Sequence, residues 1–536
     1  MEEIVARKTS LKTQSAWIML AKIISFGLSI LFPLLIVRIL GKDQVGIYRQ
    51  VFQVITDAIV ILPFGFGMSA YYFLARNKEK HAAAILNILL FNFVIGGVTC
   101  LILFLFPQLI GNIFKSSEIT LLTPKIGIVI WIWLFSTFLE MVAIANQEAP
   151  LATVFIIFAQ FSKMVLMVSA VLFFSTVDAF IYAAMIQGAI QTIILCFYLN
   201  SRFPRFWQSF DTKFFREQLV YALPFGGVGL LWILQNNIHN YFIGNRFSNA
   251  EYAIYAIGCF DLPLLGVLYE SVASVMISRV SELQSKNDKR EILYLTTKTM
   301  QTLSFFYLPA AVFLFITANT FITTLFTHHY SASVPIFLIN LIVLPLYILI
   351  TDPIIRAYKE LSRLVLVTRF FILIGLINAL WLGIQYLDLQ GMAWIVVTTI
   401  VIERFFSTSF AIRQLEAKWQ DIGLLKNVGK TALIAVFSGI ITYFVYQNVI
   451  DLTMAIGLNI TNMIFSSPKE SAIDFISGGL TMAVSLFTYI PIYLLIMNYF
   501  GVVDESEKAS FYNIVNKVKG FFKKGLGKES KVELIK

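Results

Sequence analysis

The residues able to do chemistry here are ionisable and amide side chains set inside long apolar runs. Lys22, Lys163 and Arg369 are the basic ones, and Asp57, Glu140, Asp261, Glu270 and Glu403 the acidic ones. Charge at hydrocarbon depth is costly and tends to line a cavity, to pair, or to snorkel to an interface. A cation in a wet cavity suits an anionic phosphate, which it holds by charge-assisted hydrogen bonds. Lys163 lies too deep to snorkel, whereas Lys22 and Arg369 lie within about two turns of one membrane face. A buried carboxylate suits a coupling proton or Na⁺, or the neutralising of a cation such as Lys22 or Arg369. Glu403 is followed by Arg404, which suggests a local pairing or an interlobe role.

Amides and hydroxyls form a second group. Asn236, Asn237 and Asn240 recur at about one helical turn. With Asn378, Thr398 and Thr399 they have the oxygen chemistry of a cation site; interhelical hydrogen bonding is the competing reading. His239 is a lone imidazole, a poor basis for a metal site. Pro224, Gly226 and Gly227 begin an apolar run where they would let a helix bend, although close helix packing also selects glycine.

These residues need a scaffold that holds them in lipid. The chain has 536 residues, 58% hydrophobic and 13% charged, with a mean hydropathy of +0.79. A soluble domain is about 25% charged and cannot hide so much apolar surface. About fourteen runs are long enough to cross ~30 Å of hydrocarbon as helices. They begin with 16–40, 47–75, 82–110, 121–145, 152–174 and 179–199. The next six are 220–244, 252–278, 295–318, 334–358, 364–387 and 391–412, followed by 431–450 and 478–500. With a cytoplasmic N-terminus, Lys and Arg divide roughly thirty inside to roughly six outside, the bias expected of a multi-pass protein with both termini cytoplasmic. The net charge of +10 is thus a topology signal rather than a nucleic-acid footprint. The tail places Phe511, Ile514, Val515, Val518, Phe521 and Phe522 on one helical face with lysines mostly off it, as in a helix lying on anionic membrane lipids. Cys100, Cys196 and Cys259 sit in apolar stretches, with neither disulfide nor metal spacing.

The chain also repeats itself. The turn Leu40-Gly41-Lys42-Asp43-Gln44-Val45-Gly46-Ile47-Tyr48 is echoed by Phe247-Ser248-Asn249-Ala250-Glu251-Tyr252-Ala253-Ile254-Tyr255. Lys163 and Arg369 then fall at matching places in the two copies, and Asp57 and Asp261 nearly so. An even-numbered unit repeated in tandem predicts parallel lobes around a cavity. The expected organisation is an all-α polytopic protein with lobes 1–200 and 201–415, two further helices in 416–502 and a basic tail, 503–536.

In Leu34-Leu35-Ile36-Val37-Arg38-Ile39-Leu40-Gly41, Val45-Gly46-Ile47-Tyr48 and Gly65-Phe66-Gly67-Met68-Ser69, the sequence resembles bacterial polysaccharide exporters and O-antigen flippases. Tyr221-Ala222-Leu223-Pro224-Phe225 and Tyr252-Ala253-Ile254-Tyr255 repeat the style. The resemblance implies the multidrug/oligosaccharidyl-lipid/polysaccharide exporter superfamily, with two lobes of about six helices. It implies export of an undecaprenyl-linked oligosaccharide or polysaccharide repeat unit across the cytoplasmic membrane, by alternating access with H⁺ or Na⁺ coupling. Polysaccharide-assembly proteins are then partners, and cofactors and catalytic residues are not expected. Flippase relatives often carry an acidic residue in the seventh helix, where this chain has Gln235-Asn236-Asn237-Ile238-His239-Asn240. Two alternatives stand: a multidrug or cation antiporter of the same fold, and a non-transporting glycan-assembly protein. No phosphate-binding glycine loop and no zinc-binding histidine pair is found, and no metal site is expected.

Overall fold

The computed structural model describes residues 11–76, 80–260, 262–465 and 469–502, and every regular element among them is helical. Asp261 and the tail 503–536 lie outside the described residues. The first half contains α1 (Leu11–Ile39), α2 (Lys42–Ile61), α3 (Ser69–Arg76), α4 (His81–Leu105), α5 (Gln108–Phe114), α6 (Ser117–Ser136), α7 (Phe138–Ala145), α8 (Ala149–Phe173) and α9 (Val177–Arg202). The second contains α10 (Thr212–Arg246), α11 (Asn249–Gly258), α12 (Pro263–Ser285), α13 (Lys289–Phe326), α14 (Val334–Leu341), α15 (Asp352–Ala357), α16 (Lys359–Tyr386) and α17 (Leu389–Gln414). The long helices α18 (Lys426–Ile464) and α19 (Glu470–Tyr499) follow.

Helix starts are written in the local sequence. Ser116, Thr176, Asp211 and Asp288 each accept a backbone N–H of the helix they open. Ser248 and Glu251 form a reciprocal capping box at α11, so the polar turn satisfies donors that lipid cannot. Eleven helices among the described residues are long and apolar enough to cross a membrane, or twelve if α2 and α3 count as one span bent by 49°. The expectation of fourteen differs mainly at the first and eighth runs. The first is the single helix α1, and the eighth is divided between α11 and α12. The tenth run is also segmented: α14, the 3-10 turn Leu344–Ile348 and α15 each carry a proline near the start. Proline lacks the N–H that would continue the preceding turn.

Small residues set the packing. A Cβ on Gly46 would stand 1.9 Å from the backbone oxygen of Asn249, so the two copies of the repeated turn meet face to face. Further along, Gly65 adopts φ +70° in the bend between α2 and α3, and a Cβ on Gly226 of α10 would lie 2.3 Å from the Phe64 carbonyl oxygen. The α18–α19 pair is joined by a Thr453–Thr481 hydroxyl bond of 2.7 Å and docks on α13 through Thr320 and Tyr446, 2.6 Å apart. Small residues let backbones approach where lipid gives no hydrophobic drive, and hydroxyls add cross-helix bonds.

Candidate functional site

Asp57, near the C-terminal end of α2, is buried and draws donors from two helices. Gln53 Nε2 lies 2.9 Å from both carboxylate oxygens. From α10, Asn237 Nδ2 donates to Oδ1 at 2.6 Å and the Tyr241 hydroxyl to Oδ2 at 2.7 Å. No cation pairs with Asp57 among the described residues, so neutral dipoles alone offset its charge. α2 and α10 belong to different halves, and this carboxylate bonds them at depth. Asn237 was legible as part of the amide cluster, whereas Tyr241 was not singled out. Nearer the Gly65 bend, Gln218 of α10 accepts from Asn87 at 2.8 Å and donates to Ser69 at 3.2 Å, a second buried polar node between the halves.

The other flagged amides have different company. Asn236 donates to its own helix at Trp232 O, 2.7 Å, and faces a hollow. Asn240 is half-buried one turn from Asn237. Asn378 is exposed and bonds its own helix at Ile374 O, 2.8 Å. Thr398 is exposed as well, while Thr399 lines the hollow. His239 is buried, with its Nδ1 3.0 Å from the Tyr255 hydroxyl.

That hollow, of about 120 Å³, lies between α10, α16 and α17 and is lined by Gln235, Asn236, Tyr347, Arg369, Glu403 and Arg404 among others. Arg369 Nε stands 2.8 Å from Glu403 Oε1, and Gln235 donates to the same carboxylate. Arg404 turns the other way, over the rings of Tyr347 and Tyr269 at 5.8 and 5.9 Å. The Tyr269 hydroxyl bonds Asp352 at 2.8 Å, and Tyr307 stacks on Tyr347 with centroids 5.7 Å apart. Arg404, Tyr269, Tyr347 and Asp352 are an arginine–aromatic–carboxylate group that sequence reasoning missed. Its signal was a second basic residue inside an apolar run.

Lys163 on α8 has other surroundings. Its Nζ lies 4.7 Å from the centre of the Trp133 ring. That ring is held by a 2.9 Å bond from its Nε1 to Ala184 O and by Gly188, where a Cβ would approach it to 2.6 Å. No carboxylate pairs with Lys163 among the described residues. Glu140 instead has Lys22 of α1 as its charged neighbour, so the cations at matching places in the repeat differ: Arg369 is paired and Lys163 rests on an aromatic face. Pro224 is exposed within an unbroken α10, Gly226 is the close-contact glycine, and Gly227 meets nothing within 4 Å.

The helices thus form a bent bundle with buried polar residues along a seam between two halves. The chain belongs to the polysaccharide biosynthesis protein family, whose profile matches residues 35–335, more than half its length. Its fold is that of the MOP superfamily. The lipid II flippase MurJ in an inward closed conformation superposes with a TM-score of 0.63 at 14% identity, covering 91% of this chain and 98% of that one. An inward-facing multidrug resistance MATE family transporter gives 0.60 at 14%, covering 73% of this chain and 94% of that one. A MOP superfamily transporter from Pyrococcus furiosus gives 0.54 at 17%, covering 76% and 97%. No curated protein matches.

Proposed function

We propose that this protein moves a lipid-linked, undecaprenyl-phosphate type oligosaccharide or polysaccharide repeat unit across the cytoplasmic membrane by alternating access. Residues 1–200 and 201–415 act as the two lobes, both termini are cytoplasmic, and polysaccharide-assembly proteins supply and receive the glycan. The observation that carries this reading is α18–α19. The MATE structures cover 73–77% of the chain, whereas the MurJ structure covers 91%. A flippase for a long-tailed lipid has use for helices that shelter the tail beside the lobes; a small drug does not need them. The family description points the same way.

In this mechanism the sugar-phosphate head enters the space between the halves, and Lys163 meets its phosphate. Trp133, itself buried, holds that ammonium in place through the face of its ring. Asp57, within reach of Asn237 and Tyr241, takes up the coupling H⁺ or Na⁺ and so links ion occupancy to the seam. Asp57 is also the one observation that favours a second reading, a cation antiporter, because a buried carboxylate with no cationic partner is what a cationic substrate seeks.

The test is reconstitution in proteoliposomes with a fluorescent undecaprenyl-diphosphate sugar. Lys163→Ala is expected to lower affinity roughly tenfold to a hundredfold, the loss of one charge-assisted contact of about 1.5–3 kcal/mol. Lys163→Arg should be milder and Lys163→Glu worse, with insertion unchanged in all three. Wild-type translocation by Lys163→Ala sinks the phosphate contact. Efflux of an organic cation with no glycolipid translocation by the wild type replaces the flippase reading with the antiporter.

A further inference from the structure

The face on which α1 and α13 end carries a cluster apart from both Asp57 and the Arg369–Glu403 hollow. Arg38, at the end of α1, donates to the carbonyl oxygens of Thr324 and Leu325 at 2.7 Å each, capping the last turn of α13. The chain then turns at Thr327, with φ +71°, and sets His328 and His329 side by side, ring centroids 4.2 Å apart. The first turns of α19 approach from the other side. Both the backbone N–H and ring Nδ1 of His328 lie 2.9 Å from Asp474 Oδ2. An ionised carboxylate only accepts, so Nδ1 carries a proton, and in the neutral imidazole Nε2 is the nitrogen that offers a lone pair. That Nε2 stands 3.4 Å from Glu470 Oε1. Donor atoms of His328, His329 and Glu470 all lie within 4.8 Å of one another.

We propose that His328, His329 and Glu470 bind a divalent transition-metal ion, Zn²⁺ by preference, fastening the end of α13 to the start of α19. Two imidazoles and one carboxylate are the donor set of a three-ligand zinc site with the fourth position left to water. Bonds of about 2.0–2.2 Å to a tetrahedral ion put its donors roughly 3.3–3.6 Å apart. The His328–Glu470 spacing meets this already, and the exposed His329 ring closes the remainder by rotation. Asp474 supplies the outer carboxylate that orients a ligating histidine and raises its basicity. One ligating carboxylate leaves the ion with a net positive charge, which Asp474 offsets. The mixed nitrogen–oxygen set disfavours Mg²⁺ and Ca²⁺, which take oxygen ligands. The spacing of ligands along the sequence hides the site, because Glu470 comes from a helix far from the histidine pair.

The experiment uses the untagged full chain in nanodiscs, stripped with a chelator and titrated with Zn²⁺ against a chromophoric competitor. One equivalent is expected to bind, to resist millimolar Mg²⁺ and Ca²⁺, and to raise the thermal midpoint. His329→Ala and Glu470→Gln, both exposed positions, should each weaken uptake at least tenfold and abolish the midpoint shift while eluting as the wild type does. Asp474→Asn should weaken it by about tenfold, as loss of an outer-sphere carboxylate does. Absence of a stoichiometric ion in the wild type overturns the proposal, as does wild-type affinity in His329→Ala and Glu470→Gln.

Discussion

Adjacent residues on a helix do not face one another, and Glu403 and Arg404 show what that does to a reading of charge. Their adjacency suggested a local pair. In the structure Glu403 turns to Arg369 and Gln235, while Arg404 turns to Tyr269 and Tyr347. The Arg369–Glu403 contact therefore predicts energetic coupling. In a double-mutant cycle on thermal unfolding in detergent, Arg369→Ala and Glu403→Ala should each destabilise, and the double variant should fall short of their sum by roughly 0.5–3 kcal/mol. Additive losses would mean that the two charges act independently. Asp57 was legible as a charge at depth and Asn237 as an amide one turn from others, because both stand out in apolar surroundings. Tyr241 and Tyr269 were not, since tyrosine blends into an apolar run until a partner from a distant segment shows what its hydroxyl meets. Asn378 and Thr398 were legible by type alone; both are exposed, and Asn378 bonds its own helix.

At the scale of elements, apolar length located the helices and missed where they break. Only the backbone reveals the bend at Phe64 and Gly65, both at positive φ, and the tenth run is segmented at prolines that sequence alone allowed inside a span. Gly226 and Gly227 separate the packing and hinge readings of neighbouring glycines. Gly226→Ala drives a methyl group into the Phe64 carbonyl and should cost about 1–3 kcal/mol, as overpacking does. Gly227→Ala has open space in a helix interior and should be neutral or stabilise by roughly 0.5–1 kcal/mol. Thermal melts of the two purified variants check the contrast; equal destabilisation would show that helix flexibility, not the Phe64 contact, dominates at both positions.

For the whole molecule, the alternation of loops is visible in what touches what. Lys289 pairs with Glu416 at 2.7 Å and Arg290 with Asp421 at 2.8 Å, placing the segment before α13 and the segment after α17 on one face. Arg202 meets Glu148 at 2.9 Å between two other loops expected on that side. Asn245 reaches Ile113 O at 2.7 Å and Arg38 reaches the end of α13, on the side expected to be opposite. We propose, from its basic excess, that the first group is the cytoplasmic face. Single cysteines at Arg216, Lys286 and Lys418 should therefore resist an impermeant maleimide added to intact cells, while cysteines at Asn112 and Lys469 react. Labelling at Lys286 would invert the orientation of the second half and with it the parallel repeat.

The seam between the halves has a further consequence. Among the described residues no ion pair crosses it. What crosses includes glycine against backbone at Gly46 and Gly226, arginine on carbonyls at Arg38, amide bonds at Gln218 and Asn245, and neutral donors on Asp57. Dissolved electrolyte screens charge against charge and has little purchase on such a joint. Shape governs it instead: two surfaces this closely fitted lose dispersion contact as soon as they part by a fraction of an ångström. Partial separation is then the least favourable arrangement, and the two halves are either seated or well apart.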